Sequence, residues 1–269
     1  MTIASCVTQS AEIKKLSLIP HEDLQNSRSV TTGYFDYRAA LSLRQMALTA
    51  GVGLPDYLLA PEIGLLLPYL PNLKQRLFVD TLWNTGARLN ECLALMPSNF
   101  QLDDERGEKL DRPFVVLETL KQRNRGRGRP KKGEPLKRIV PLLDADYVNR
   151  LREYFETFRQ SKYEPIWNVA SDETPRNWIR AAVTRAARDG VTFSLPTITP
   201  KTFRHSFAMH LIQYRVPLKV VQSYMGHAEI ASTEVYTKVF ALDVGYQREV
   251  RFTVPLGEVA ALRLYHKDR

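Results

Sequence analysis

The chain has 269 residues, 44% hydrophobic and 25% charged, a composition suited to one large folded domain or two small ones. No apolar run approaches the roughly 20 residues a membrane-spanning helix needs. The opening MTIASCVTQSAEIKK lacks the apolar core of a secretion signal, and the two cysteines, Cys6 and Cys92, offer neither a disulfide framework nor a metal-ligand spacing. A reducing cytoplasm is the simplest setting, and the net charge of +9 favours a polyanionic partner, with nucleic acid first among candidates.

Along the chain, residues 1 to about 30 are polar and weakly periodic. A mixed apolar stripe through Tyr37, Leu41 and Leu48 predicts a helix over Asp36 to Ala50. Two Gly and two Pro between Gly51 and Pro61 read as a linker. A long helix is expected from Leu73 to Thr85, ending near Gly86, and a second from Arg88 to Leu95, stopped before Pro97. The β-formers of Pro113–Leu120 and Leu136–Leu142 predict two strands of a long hairpin. Asp144 caps a helix reaching Arg159, and Thr174-Pro175 opens another to Arg188. Thr199-Pro200 opens a third to Tyr214, and Pro217 a fourth that ends at Gly226. A last helix covers Ser232 to Phe240. The fold class is mostly α with a small β-hairpin or sheet, which by itself names no function.

The charge is concentrated. From Lys121 to Arg138 there are nine Lys or Arg residues and one acid, Glu134, so the rest of the chain is close to neutral. Arg123, Arg125, Arg127 and Arg129 alternate with Asn124, Gly126 and Gly128, and Lys131 and Lys132 follow. That alternation argues against a helix. It suits a loop whose backbone approaches a phosphate chain while its side chains release counterions. A solvated basic loop is the plain alternative.

Five features carry chemistry. In TGARLNE, Thr85–Glu91, a Gly precedes Arg88 at a helix start, where a guanidinium and free N–H groups suit a phosphate; an Arg88–Glu91 surface ion pair is the alternative. In TPKTFRHSF, Lys201 and Arg204 are three apart and project from one helical face, with Phe203, Phe207 and Leu211 on a core stripe and His205 and His210 read as surface. Gly226 ends a helix and delivers His227 at the turn. Tyr236 follows nine residues later on its own helix, and Lys121 sits where the first hairpin strand meets the basic loop. Each alone is weak.

In this order they resemble the catalytic set of the tyrosine recombinase (phage integrase) family. The resemblance is carried by TGARLNE, the lysine-bearing hairpin ending in KRIVPL, TPKTFRHSFAMHL and MGHAEIASTEVYTKV, and covers Leu58 to Leu242. It implies three regions: a short N-terminal DNA-binding arm (1–57), a catalytic domain (58–242) and a C-terminal tail (243–269). The run STEVYTKVFALDV is most like resolvases of large bacterial plasmids.

The resemblance implies a site-specific recombinase that cleaves double-stranded DNA by attack of Tyr236 on phosphorus. The products are a 3′-phosphotyrosine and a 5′-hydroxyl. The adduct keeps the bond energy, so rejoining needs no ATP. Arg88 and Arg204 would stabilise the pentavalent phosphorane, His227 would donate to a nonbridging oxygen, and Lys121 would protonate the leaving 5′-oxygen. Glu91 would hold Arg88 or its neighbours in place. No metal or other cofactor is implied. A homotetramer on two sites is the expected working form, with a monomer in the absence of DNA. A catalytically silent DNA-binding regulator and a topoisomerase of type IB are the alternatives.

Three departures from the family pattern matter. Lys201 stands where the family usually has His; a protonated amine adds charge near the phosphate but is a poor acceptor for the tyrosine proton. Lys131, Lys132 and Lys137 compete with Lys121 as general acid, because the hairpin is longer than the family's usual turn. The short arm predicts a reduced clamp, with Arg123 to Lys132 gripping DNA phosphates or a minor groove in its place. Asp243–Arg269 holds a strand-like EVRFTV and an amphipathic LGEVAALRLY, which either pack on a neighbouring protomer or cover their own domain.

Overall fold

The computed structural model describes residues 37–51, 53–119, 137–169, 171–227, 233 and 237. The expected helix Ser232–Phe240, the hairpin tip with Lys121 to Lys132, the tail and the first 36 residues lie outside these, apart from Thr233 and Thr237. Among the described residues the elements run α1 (Tyr37–Thr49), α2 (Ala60–Leu66), α3 (Leu73–Thr85), α4 (Leu89–Leu93), β1 (Phe100–Asp103), β2 (Lys109–Glu118) and β3 (Lys137–Pro141). Four helices follow: α5 (Ala145–Thr157), α6 (Glu173–Arg188), α7 (Pro200–Gln213) and α8 (Leu218–Met225). The fold is mostly helical with one small sheet. No described helix is long and apolar enough to cross a membrane.

Local chemistry sets most of these boundaries. The Asn72 side chain accepts the Gln75 N–H at 2.9 Å and starts α3. Gly86, at φ +59°, ends it in the left-handed cap conformation. Asp144 accepts from the Tyr147 N–H at 2.8 Å and starts α5. Pro200 fills the first turn of α7, where its missing donor costs nothing. Gly226, at φ +58°, closes α8 as Gly86 closes α3.

α3 and α7 form the centre. Phe78 and Leu82 of α3 and Phe203 of α7 are fully buried. Trp167 meets Phe78 edge-on at 5.2 Å and donates its indole N–H to the Cys92 carbonyl at 2.7 Å. This aromatic cluster ties α3 to the segment after α5 through both area and geometry.

The sheet is antiparallel, in the order β1-β2-β3, and so has three strands where the sequence suggests a two-stranded hairpin. β1 escapes pattern reading because it is four residues long and alternates only twice. The first half of β2, Lys109–Arg112, is polar and reads as loop, yet it lies in the ladder opposite β1. The pairing of β2 with β3 is as expected, with Val115 opposite Val140, Leu117 opposite Arg138 and Glu118 opposite Lys137.

The segment read as a linker is no exposed tether. Tyr57, Leu58 and Leu59 are each 1% exposed, and α2 begins at Ala60 with Pro61 in its first turn. Its Gly and Pro residues obscured the start of a short helix that buries one face, Glu62, Ile63 and Leu66. The Leu58 N–H donates to the Ser206 hydroxyl on α7 at 2.8 Å. Arg44 of α1 makes a two-pronged bond to Glu62 of α2 at 2.9 and 2.8 Å, with both residues buried. Glu62 also accepts from the Leu59 N–H and the Ser194 hydroxyl. α1 is therefore latched to the core by a buried ion pair whose remaining oxygen capacity is used, the condition under which such a pair is tolerated.

Candidate active site

Arg88 and Glu91, three residues apart, meet Arg204 and His227 from distant parts of the chain at one end of the helical layer. The two glycine-capped helix ends do the gathering. Arg204, 7% exposed on α7, donates through one Nη to the Gly86 carbonyl at 2.6 Å and through the other to the Met225 carbonyl. Arg88 donates to the Gly226 carbonyl at 3.3 Å. The ends of α3 and α8 thus present carbonyl oxygens, and their negative dipole ends, to two guanidinium groups.

Gly86 is required by space as well as by φ. A Cβ there would lie 2.4 Å from Cδ1 of Phe207. At Gly226 a Cβ would lie 2.9 Å from Cδ of Arg138.

Arg88 is the N-cap residue of α4, not its first helical residue, and the helix is shorter than expected, ending at Leu93. Glu91 accepts from the Arg88 backbone N–H at 2.8 Å and from its Nη1 at 2.7 Å. Both of its oxygens also receive the fork of Arg138, at 2.9 and 2.6 Å. Burial alone would raise the Glu91 carboxyl. The hydrogen bonds and charge of Arg138, helped by Arg88, outweigh it and hold the group at about 2. Glu91 is 3% exposed, whereas the Arg88 side chain remains 41% exposed, so Arg88 faces solvent where a phosphate can reach it.

His227 is half-buried, and its Nδ1 lies 2.9 Å from the Thr233 hydroxyl. Burial, then the charges of Arg204, Arg88, His205 and Arg138, lower its pKa to about 4. At neutral pH it is a neutral imidazole. In the tautomer whose Nδ1 accepts from Thr233, Nε2 carries the proton and is a donor.

Lys201 lies one turn before Arg204 and is exposed. It lines a cavity of about 410 Å³ together with Asp56, Thr199 and His205. Burial and the charges of Lys201 and Arg204 lower the His205 pKa to about 4. His210 is not a surface residue. It packs between Trp83 at 4.9 Å and Tyr214 at 4.8 Å, and burial lowers its pKa to about 4.

Lys137 pairs with Glu118 at 3.1 Å on the exposed face of β3, while Arg138 turns inward. Tyr236, Lys121, Arg123, Arg125, Arg127, Arg129, Lys131 and Lys132 lie outside the described residues. Among the described residues no group of His, Cys, Asp or Glu is placed to hold a metal ion.

Arg138 is the member of the cluster that the sequence did not single out. It reads there as one more cation of the basic hairpin. Its register offers a signal, because Leu136, Arg138, Val140 and Leu142 alternate on one strand face. An arginine in such a row needs a buried partner.

Fixed guanidinium groups beside a neutral imidazole make a centre for phosphoryl transfer, where developing negative charge is met by donors already in place. Comparison with known proteins specifies the class. The model of the phage integrase family matches residues 58–242. A resolvase of Escherichia coli is 47% identical over 242 residues, covering 84% of this chain and 90% of the relative. A probable site-specific recombinase in the afa region, also from Escherichia coli, is 47% identical over 81% of this chain and 84% of that one.

Among solved structures, the XerA recombinase aligns with a TM-score of 0.52 at 20% identity, over 74% of this chain and 65% of that one. The XerH site-specific recombinase bound to palindromic difH substrate, a post-cleavage complex, aligns with a TM-score of 0.51 at 22% identity, over 75% of this chain and 54% of that one. These two share the fold. The chain belongs to the phage integrase family, the tyrosine recombinases, and is an enzyme of site-specific DNA strand cleavage and rejoining.

Proposed function

We propose that this recombinase acts as a resolvase, with Tyr236 as nucleophile, Arg88 and Arg204 as the phosphate clamp and His227 as a third donor. The observation that carries this reading is the convergence of both guanidinium groups on the Met225–Gly226 turn, one residue before His227. The resolvase outcome follows the Escherichia coli resolvase, of which this chain spans 90%.

In the proposed reaction Tyr236 loses its phenolic proton to water or to a base other than Lys201, and its oxygen bonds to phosphorus as the bond to the 5′-oxygen breaks. The leaving oxygen takes a proton from a lysine, and the extra charge on the nonbridging oxygens falls to the two arginines and the His227 Nε2–H. Lys121 is the preferred donor. Odd-numbered residues of β2, Val115 and Leu117, face inward, Thr119 lies 3.5 Å from Glu91, and position 121 keeps that parity in sequence. Lys137 occupies the opposite parity and is engaged by Glu118. Lys201 contributes positive charge at the rim. The basic segment Arg123–Lys132 grips DNA in support of a short N-terminal arm (1–57) beside the catalytic domain (58–242), and a tetramer on two sites performs the exchange.

The test is a nicked suicide substrate carrying the resolution site, incubated with wild type and with Tyr236→Phe. Wild type is expected to yield a protein–DNA band that survives denaturation, and the variant none. A band of equal intensity with Tyr236→Phe would overturn the assignment. A bound but uncleaved substrate with wild type would leave a DNA-binding regulator. Relaxation of supercoils without exchange between two sites would point to a topoisomerase.

A further inference from the structure

The reading of the chain as a recombinase gives no task to Arg138, yet this side chain touches three parts of the site. It is 8% exposed. Its Nη1 and Nη2 hold the two oxygens of Glu91, and its Nε donates to the Tyr224 carbonyl at 2.8 Å, in the last turn of α8. Its stem passes Gly226 so closely that a side chain there would collide with it. Arg138 is too enclosed to meet a phosphate itself. It bonds instead to groups that hold the residues that do.

We propose that Arg138 is a positioning residue for strand cleavage, fixing Arg88 through Glu91 and fixing the turn that delivers His227 through the Tyr224 carbonyl. The inference rests on the recombinase reading above.

Its consequences follow from the surroundings of Glu91. Arg88 faces the carboxylate from the start of α4, Arg138 from β3, and the Thr119 hydroxyl from the end of β2; the Cys92 thiol is its neighbour in sequence. With Arg138 removed, burial is opposed by Arg88 alone, and Glu91 takes up a proton at a higher pH. A protonated Glu91 no longer accepts from both the backbone and the side chain of Arg88, so Arg88 loses its fixed orientation. Two lost charge-assisted bonds imply about a ten- to hundredfold slower cleavage. An acidic limb appears in the rate profile, because the fault lies in the protonation of Glu91.

The experiment uses the full chain and the nicked substrate. Single-turnover cleavage is followed from pH 5.5 to 9 for wild type, Arg138→Gln, Arg138→Lys, Glu91→Gln and the double variant. DNA affinity is measured beside it. Arg138→Gln is expected to bind DNA within about twofold of wild type, to cleave at least tenfold more slowly at pH 7, and to recover as pH rises. Arg138→Lys should lose most of the acidic limb while staying slower than wild type, since an ammonium restores charge but not the fork. In the Glu91→Gln background the Arg138→Gln change should add no acidic limb.

Wild-type cleavage by Arg138→Gln would overturn the proposal. So would parallel loss of binding and cleavage with an unchanged pH profile. If Arg138→Gln does not fold, Arg138→Lys against wild type carries the same comparison through its rate at equal DNA affinity, and equal rates would overturn it. Absence of any covalent complex with wild type would instead sink the recombinase reading.

Discussion

Gly86→Ala is the sharpest test of how the fold builds the site. The residue ends α3 at φ +59°, and the new Cβ would stand 2.4 Å from Cδ1 and 2.9 Å from Cε1 of Phe207. Phe207 is 6% exposed and has buried neighbours on α7, so it has little room to retreat. The left-handed backbone costs an alanine about 1–2 kcal/mol. Overpacking a closed site adds about 1–3 kcal/mol. The expected total is about 2–5 kcal/mol. Gly190→Ala is the control: φ is +79°, and nothing lies within 4 Å of the new Cβ. It carries the backbone cost alone, about 1–2 kcal/mol. Urea unfolding of both variants at constant m isolates the Phe207 contact as their difference, about 1–3 kcal/mol. In a Phe207→Ala background that difference should vanish. Equal losses for the two glycine variants would refute the reasoning. Because the Gly86 carbonyl holds Arg204, cleavage should fall in Gly86→Ala and not in Gly190→Ala.

Acid should unfold the protein in two overlapping windows. His205, His210 and His227 have folded pKa values of about 4 against an ordinary 6.5, so the unfolded chain binds more protons there. Stability is full above pH 6.5 and is lost as pH falls towards 4. For Glu91 the shift runs from 4.5 to about 2, and about 3 kcal/mol present above pH 4.5 is lost as pH falls through 2. Denaturant unfolding at pH 7, 6 and 5 measures the first window. His210→Gln should flatten that slope by up to one proton, and an unchanged slope would contradict a half-buried, neutral His210. Thr233→Val removes the hydroxyl that meets His227 Nδ1. Cleavage should slow about tenfold with DNA affinity unchanged, the scale of one hydrogen bond. Wild-type cleavage would show that Thr233 does not orient the ring.

What could be read in the sequence was local. Asp144 as a cap and the glycines closing α3 and α8 act within a turn, and the structure places those boundaries where the sequence did. What escaped depends on distant partners. β1 is a strand only because β2 lies beside it. The linker read over Gly51–Pro61 hid the start of α2 and the buried approach to it, because Gly and Pro crowd that stretch while its anchors, Ser206 for Leu58 and Arg44 for Glu62, come from other helices. Arg138 was hidden by its own neighbourhood, since eight other cations lie between Lys121 and Lys137 and the strand parity that turns it inward competes with that charge run.

The electrostatics of the cluster explain its odd partners. Three guanidinium groups, from Arg88, Arg138 and Arg204, meet one carboxylate, Glu91, which pairs with Arg88 and Arg138, so these four groups carry two positive charges in excess. Repulsion among them is offset by carbonyl oxygens at Gly86, Tyr224, Met225 and Gly226, all at or just before the ends of α3 and α8. Carbonyl dipoles satisfy N–H donors but do not cancel charge, and the field left over adds to burial in keeping His227 neutral. A second carboxylate in place of those carbonyls would neutralise the site and compete with a phosphate for Arg88 and Arg204. With dipoles instead, the excess charge stays available, and Arg88, the member most open to solvent, is where an incoming phosphate would first meet it.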